Sequence, residues 1–183
     1  MSQGYLELIL GPMFSGKTTR LIEIYNKYIR SSQKVAVINY VQDTRYNENM
    51  LSSHDRKMIP CIFAENLSTI INTQEVLEAD IILINEGQFF EDIFESVKIL
   101  VENKNKKVYI CGLDGDFKRK SFGTLLTLIP ICDNITKLHS NCNSCCNEAI
   151  FSHRITDEKE LVVIGSSNYI PLCRICYNKL NVA

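Results

Sequence analysis

The sequence carries almost no net charge: 20 lysines and arginines face 21 aspartates and glutamates, leaving −1 at neutral pH. No global field therefore draws in nucleic acid or an anionic membrane surface, and both partner classes are set aside. No apolar run approaches the roughly 18 residues a membrane-spanning helix needs. The opening MSQGYLELIL has neither the positive n-region nor the long apolar core of a secretory leader, so a soluble, cytoplasmic protein is expected. Internal repeats, low-complexity tracts and flexible linkers are also missing. At 183 residues and 45 % apolar content the chain has room for one full domain and an appendage, not two large independent domains. Small-molecule chemistry is the class that remains.

What is present begins with alternation. Tyr5 to Leu10 is a short apolar strand, and a helix starting near Lys17 buries Leu21, Tyr25, Tyr28 and Ile29 at helical spacing. Lys34 to Tyr40 is a second strand, followed by the polar stretch VQDTRYNENMLSSHDRK, expected as a long loop. A weaker helix is expected around Leu67 to Leu77, then the apolar strand Ile81 to Ile84. Asp92 is placed to cap a further helix with Ile93, Phe94, Val97, Leu100 and Val101 inside and Glu95 completing a capping box. KKVYICGLDG is another apolar strand ending in a glycine turn. Apolar strands alternating with helices predict an α/β fold, a parallel sheet with helices on both faces.

Beyond about Ile135 the elements shorten and cysteines cluster. AIFSHRI and ELVVIG read as an antiparallel pair joined by TDEKE. The division expected is a nucleotide-binding domain over residues 1–138 and a minor domain over 139–183, too small to bury a core of its own. Cys142 and Cys145, with Cys173 and Cys176, form two C-x-x-C pairs. Four thiolates in that pattern are a closed, structural zinc site and would staple this domain. Cys146 adjoins the first pair; Cys61, Cys111 and Cys132 lie in apolar runs and read as core.

Gly11, Pro12, Met13, Phe14, Ser15, Gly16, Lys17 and Thr18 make a G-x-x-x-x-G-K-[ST] loop between a strand and a helix. Successive N–H groups of such a loop face one anion, the lysine reaches the β- and γ-phosphates, and the Thr18 hydroxyl ligates Mg²⁺. ATP and Mg²⁺ are the cofactors this predicts. A neighbouring strand in P-loop enzymes ends in an aspartate near the metal, whereas here Ile81–Ile84 is followed by Asn85 and Glu86. Either Asn85 keeps the metal position and Glu86 is the general base for a hydroxyl nucleophile, or Glu86 replaces the aspartate one residue late. The second reading needs a backbone bend, because side chains alternate along a strand.

Together GPMFSGKTT, DTRY, NEGQFF, LDGDFKRKSFG and the closing CRICY resemble the zinc-containing thymidine kinases of animal cells, bacteria and poxviruses, in the same order from Leu8 to Tyr177. The resemblance implies a RecA-like P-loop domain, a zinc-ribbon-like domain with a lasso loop, and transfer of the γ-phosphate of ATP to the 5′-hydroxyl of thymidine or deoxyuridine. It makes Glu86 the proton acceptor and puts Gln88 and Asp43, Thr44 and Arg45 at the phosphates. It lays the base in a slot of Met13, Phe89, Leu113, Phe117 and Phe122. Backbone groups of Leu161, Val162, Val163, Ile164 and Gly165 hold its edge, and Tyr169 clamps it. A homotetramer and feedback by thymidine triphosphate are further implications. Two other readings stay open: a zinc-lid nucleoside-monophosphate kinase, which would want convergent arginines among Arg45, Arg56, Arg119, Arg154 and Arg174, and a zinc-ribbon ATPase. His54, His139 and His153 show no ligand spacing and read as structural, and Lys118–Lys120 as a solvated loop.

Overall fold

Ile81–Ile84 has no polar side chain and all four residues are buried. Such a strand has to be covered on both faces, and it lies near the centre of a six-stranded sheet. The computed structural model describes residues 3–41, 50–52, 57–158, 160–161 and 165–181, the side chain of Ser166 excepted. Strands β1 (Tyr5–Leu10), β2 (Val35–Tyr40), β3 (Met50–Ser52), β4 (Met58–Pro60), β5 (Ile62–Ala64), β6 (Ile81–Ile84), β7 (Lys107–Gly112) and β8 (Asn134–Lys137) alternate with helices α1 (Lys17–Arg30), α2 (Gln74–Glu78) and α3 (Ile93–Lys98). The sheet order is β5-β2-β6-β7-β1-β8, and every pairing in it is parallel.

The strand period of two divides the core. Leu6, Leu8, Ile82, Ile84, Val108 and Ile110 pack with Phe90, Ile93, Val97 and Leu100 on one face. Ile9, Val37, Leu83, Tyr109 and Cys111 pack with Leu21, Ile22 and Ile24 of α1 on the other, joined by Leu51 and Ile59. β1 and β2 are separated by β6 and β7, so the carboxyl ends of these strands border the crevice where open α/β sheets bind ligands.

Several local expectations need correction. Ile29 is exposed, and Ile22 and Ile24 are buried in its place, because Ile29 falls at the edge of the apolar stripe in the last turn. Part of the expected loop after Val41 pairs as an antiparallel β3–β4 hairpin, Leu51 opposite Ile59, and β5 extends the sheet beside β2. The expected helix over 67–77 is a 3₁₀ turn at Leu67–Thr69 followed by α2. The hydroxyls of Thr69 and Thr73 bond the carbonyls of Asn66 and Ile70, local bonds that compete with a continuous helix. Asp92 makes no side-chain cap on α3. Its carboxylate accepts from the backbone N–H groups of Leu67 at 3.1 Å and Ser68 at 2.7 Å, capping the 3₁₀ turn across the chain instead.

The C-terminal part holds β9 (Ser140–Asn141), β10 (Glu148–Ala149), β11 (Phe151–Arg154), β12 (Tyr169–Leu172) and α4 (Arg174–Leu180). β11 pairs antiparallel with β12, Phe151 opposite Leu172; residues 162–164 of the expected partner strand ELVVIG fall outside the described residues. Among the described residues the apolar cluster there is Cys142, Ala149, Leu172, Cys173 and Tyr177 with four partly buried neighbours. A core so rich in sulfur leaves little apolar area to hold the lobe.

Candidate active site

Gly16 opens α1 in the left-handed region, φ 81°, where a residue with a Cβ is strained. The loop before it is tied by its own side chains: Ser15 Oγ and Lys17 Nζ both donate to the Pro12 carbonyl, at 2.8 and 2.7 Å. Met13 and Phe14 are met by the C-terminal lobe. The Met13 N–H donates to Ser152 Oγ at 2.9 Å, and Ser140 Oγ donates to the Phe14 carbonyl. Ser152 is buried on β11, and nothing in its local sequence announces that role.

Register sets the polar row beside the loop. Ile38 pairs with Ile84 and Ile84 with Ile110, so Asn39, Asn85 and Cys111 follow side by side on the face that α1 covers. Asn85 Nδ2 donates to Asn39 Oδ1 at 2.8 Å, and Cys111 Sγ donates to Asn85 Oδ1 at 2.9 Å. The same Asn85 oxygen lies 3.5 Å from Thr18 Oγ1. Adjacent oxygens around Mg²⁺ at 2.0–2.1 Å sit about 3.0 Å apart. Thr18 and Asn85 therefore fit one cation shell with a small adjustment or an intervening water. Cys111 is core, as expected, and also a partner of this row.

Glu86 follows with φ 55° and ψ 43°, so the backbone does bend at this point. Thr18 pairs with Asn85, and the Glu86 carboxylate accepts from Gln88 Nε2 at 2.6 Å. Gln88, itself buried, is oriented from the other end, because its Oε1 accepts the Leu113 N–H at 3.0 Å. A charge-assisted bond from a pre-oriented amide fixes where the carboxylate points. Gly123 completes the clamp, since a Cβ there would stand 2.0 Å from the Gln88 carbonyl oxygen.

The apolar slot is partly assembled. Phe89 stacks on Tyr40 with centroids 5.1 Å apart and meets the edge of Phe122 at 5.4 Å; Tyr40 is a member that sequence reading missed. Leu113 is held beside this slot by its N–H bond to Gln88, the residue before Phe89. Phe117 and Tyr169 meet the same guanidinium, that of Arg154, 3.8 and 5.2 Å from the ring centroids. Leu161 is exposed, and Gly165 has φ 130°. Asp43, Thr44, Arg45, Val162, Val163 and Ile164 lie outside the described residues, as do His54 and Arg56. Arg119 stacks on Tyr177 and Arg174 over Phe151. Among the described residues, Arg119, Arg154 and Arg174 thus lie on aromatic rings instead of converging as a second phosphate site.

The four paired cysteines come together. A Zn–S bond of about 2.3 Å sets the sulfurs of a tetrahedron about 3.8 Å apart. Cys145 Sγ lies 3.7 Å from Cys173 Sγ and 3.6 Å from Cys176 Sγ, and all four sulfurs lie within 4.8 Å of one another. Burial works against the Cys142 thiolate, but the N–H groups of Cys173 and Ser144 hold this thiol down to about 6. Hydrogen bonds with Cys145 and Cys173 push Cys176 up to about 12, a proton that a central dication would displace. The donor set fits zinc, and the exposed Cys146 is not in it. Among the described residues no helix is long and apolar enough to cross a membrane.

Comparison with known proteins places this geometry. The family model described as thymidine kinase matches residues 4–177. The chain is 42 % identical over 178 residues to the thymidine kinase of Sheeppox virus (strain KS-1), covering 97 % of this chain and 98 % of that one. It is 41 % identical over 179 residues to the cytosolic thymidine kinase of Cricetulus griseus, covering 97 % and 75 %. The cytosolic thymidine kinase of Homo sapiens is 40 % identical over the same span, with the same coverage. A P-loop bonded to a four-sulfur lobe, with the Asn85–Glu86 turn beside Thr18, thus occurs in a chain that belongs to the thymidine kinase family.

Proposed function

We propose that this chain transfers the γ-phosphoryl group of ATP to the 5′-hydroxyl of thymidine, with deoxyuridine as a second acceptor. The observation that carries the reading is the Asn85–Glu86 turn, where one side chain faces Thr18 of the P-loop and the next is an oriented carboxylate. Glu86 takes the proton of the 5′-hydroxyl as its oxygen attacks the γ-phosphorus. The bond from that phosphorus to the β,γ-bridging oxygen breaks, and ADP leaves. The N–H groups of Phe14 to Lys17 and the Lys17 ammonium hold the triphosphate, and Thr18 and Asn85 would hold Mg²⁺, which supplies charge neutralisation at the transferring group.

Asp43, Thr44 and Arg45 belong beside the phosphates in this reading. The pyrimidine lies among Met13, Phe89, Leu113, Phe117 and Phe122. Backbone groups of Leu161 to Gly165 read its edge and Tyr169 covers it. Residues 139–183 form the zinc-held lobe that carries this loop. A homotetramer, feedback inhibition by thymidine triphosphate, a cytoplasmic location and indifference to nucleic acid complete the proposal.

The test offers labelled ATP and Mg²⁺ to the protein with thymidine, deoxyuridine, the common nucleoside monophosphates, or DNA alone. Label on thymidine and deoxyuridine supports the reading. Label appearing only on monophosphates, or only as free phosphate, overturns it.

A further inference from the structure

Arg154 closes β11 and is 6 % exposed. Burying a guanidinium is expensive unless its donors are matched, and here the matching is directed at one stretch of chain. One Nη donates to the carbonyls of Glu158, at 3.0 Å, and Glu160; the other donates to the Leu161 carbonyl at 2.9 Å and to the Tyr169 hydroxyl at 2.6 Å. All four Nη hydrogens are therefore engaged. The planar group lies on the Phe117 ring, its central carbon 3.8 Å from the ring centroid. Its Nε–H is buried without a partner among the described residues, a cost that an apolar residue at this position would avoid.

One cation thus ties together the residues entering the loop at 161–165, the tyrosine that follows it, and an aromatic ring from the loop after β7. We propose that Arg154 is a positioning residue for acceptor binding. It holds the loop carbonyls and the Tyr169 ring in fixed relation to Phe117, and so sets the width of the base slot without touching the phosphates. The inference rests on the substrate reading above, in which Phe117, Leu161 and Tyr169 surround the pyrimidine. Arginine is required because lysine has three donors on a single nitrogen and no planar face to lie on a ring.

The test compares wild type with Arg154→Gln, Arg154→Lys and Tyr169→Phe for thymidine KM, ATP KM, zinc content and hydrogen exchange over residues 155–165. For Arg154→Gln the thymidine KM should rise at least about tenfold, the factor equivalent to about 1.4 kcal/mol. ATP KM and zinc should be unchanged, and exchange in that segment faster. Arg154→Lys should recover part of the loss. Tyr169→Phe should raise thymidine KM in the wild-type background and add little to Arg154→Gln, because both remove one shared bond. Should Arg154→Gln lose zinc or fail to fold, Arg154→Lys and Tyr169→Phe carry the test. A zinc-loaded variant with unchanged thymidine KM, or with thymidine and ATP KM raised alike, overturns the proposal. If wild type does not phosphorylate thymidine, the substrate reading fails instead; unchanged exchange in Arg154→Gln would then overturn the anchoring by itself.

Discussion

Asn85→Asp changes one atom in the polar row and separates two forces that act on it. Asn85 presents its oxygen toward Thr18 Oγ1 at 3.5 Å and its amide N–H to Asn39 Oδ1 at 2.8 Å. An aspartate adds charge on the Thr18 side and loses the donor on the other. A neutral hydrogen bond to a magnesium-bound water contributes about 0.5–1.5 kcal/mol and a charge-assisted one about 1.5–3. The gain of about 1 kcal/mol corresponds to about fivefold in metal affinity. Against this, Asn39 must turn its amide to face the new carboxylate in a site where both residues are 1 % exposed. An unmatched buried acceptor costs about 1–3 kcal/mol, and each kcal/mol moves Tm by about 2–4 °C in a chain of this size. Initial rates across free Mg²⁺ at saturating ATP and thymidine should thus show the half-activating concentration falling about fivefold, while Tm without Mg²⁺ falls by several degrees. Superimposable magnesium curves would remove Asn85 from the metal shell.

Cys173→Ser should lower zinc from one per chain to a substoichiometric amount by atomic absorption and expose the C-terminal lobe to proteolysis; full zinc retention would refute the four-sulfur site. Asp92→Ala should cost about 2–3 kcal/mol by loss of a carboxylate bonded to two backbone N–H groups, read as a Tm drop of about 4–12 °C, and an unchanged Tm would contradict the cross-chain cap. Burial raises the Asp92 carboxyl and the Ser68 and Leu67 N–H groups outweigh it, leaving a value below the ordinary 3.8. A depressed carboxyl stabilises the fold fully above the unfolded value and loses that contribution as pH falls through the folded value. The difference between wild type and Asp92→Ala should therefore be constant above about pH 5 and shrink toward pH 2. Ser152→Ala should leave the Met13 N–H without its acceptor, cost about 1–3 kcal/mol and weaken ATP saturation; unchanged stability and ATP KM would show that the contact is dispensable.

What could be read from the chain alone was whatever a short window contains. The P-loop, the apolar strands β1, β6 and β7 and the two cysteine pairs are local patterns, and each stands where spacing put it. Asp92 looked like the cap of its own helix because only the following residues are visible to such a pattern. Its actual partners, Leu67 and Ser68, lie 25 and 24 residues earlier. The same holds for Ser152, which meets Met13 across 139 residues, and for Asn39 and Cys111, which reach Asn85 only through strand register. β3, β4 and β5 are three residues each, too short for alternation to stand out from a polar loop. Arg154 stood only among the arginines open to a monophosphate-kinase reading, since nothing in FSHRI shows that its four Nη hydrogens are engaged elsewhere.

The most direct measurement is single-turnover transfer of labelled γ-phosphate to thymidine by Glu86→Gln, alongside equilibrium ATP binding. A glutamine keeps the shape and the contact with Gln88 but cannot take a proton, and general-base help is typically about 10²–10⁴-fold. Turnover should fall at least about 100-fold with ATP affinity retained. Near-normal transfer by Glu86→Gln would contradict the role given to this carboxylate, and with it the convergence of phosphate loop and proton acceptor on one sugar hydroxyl.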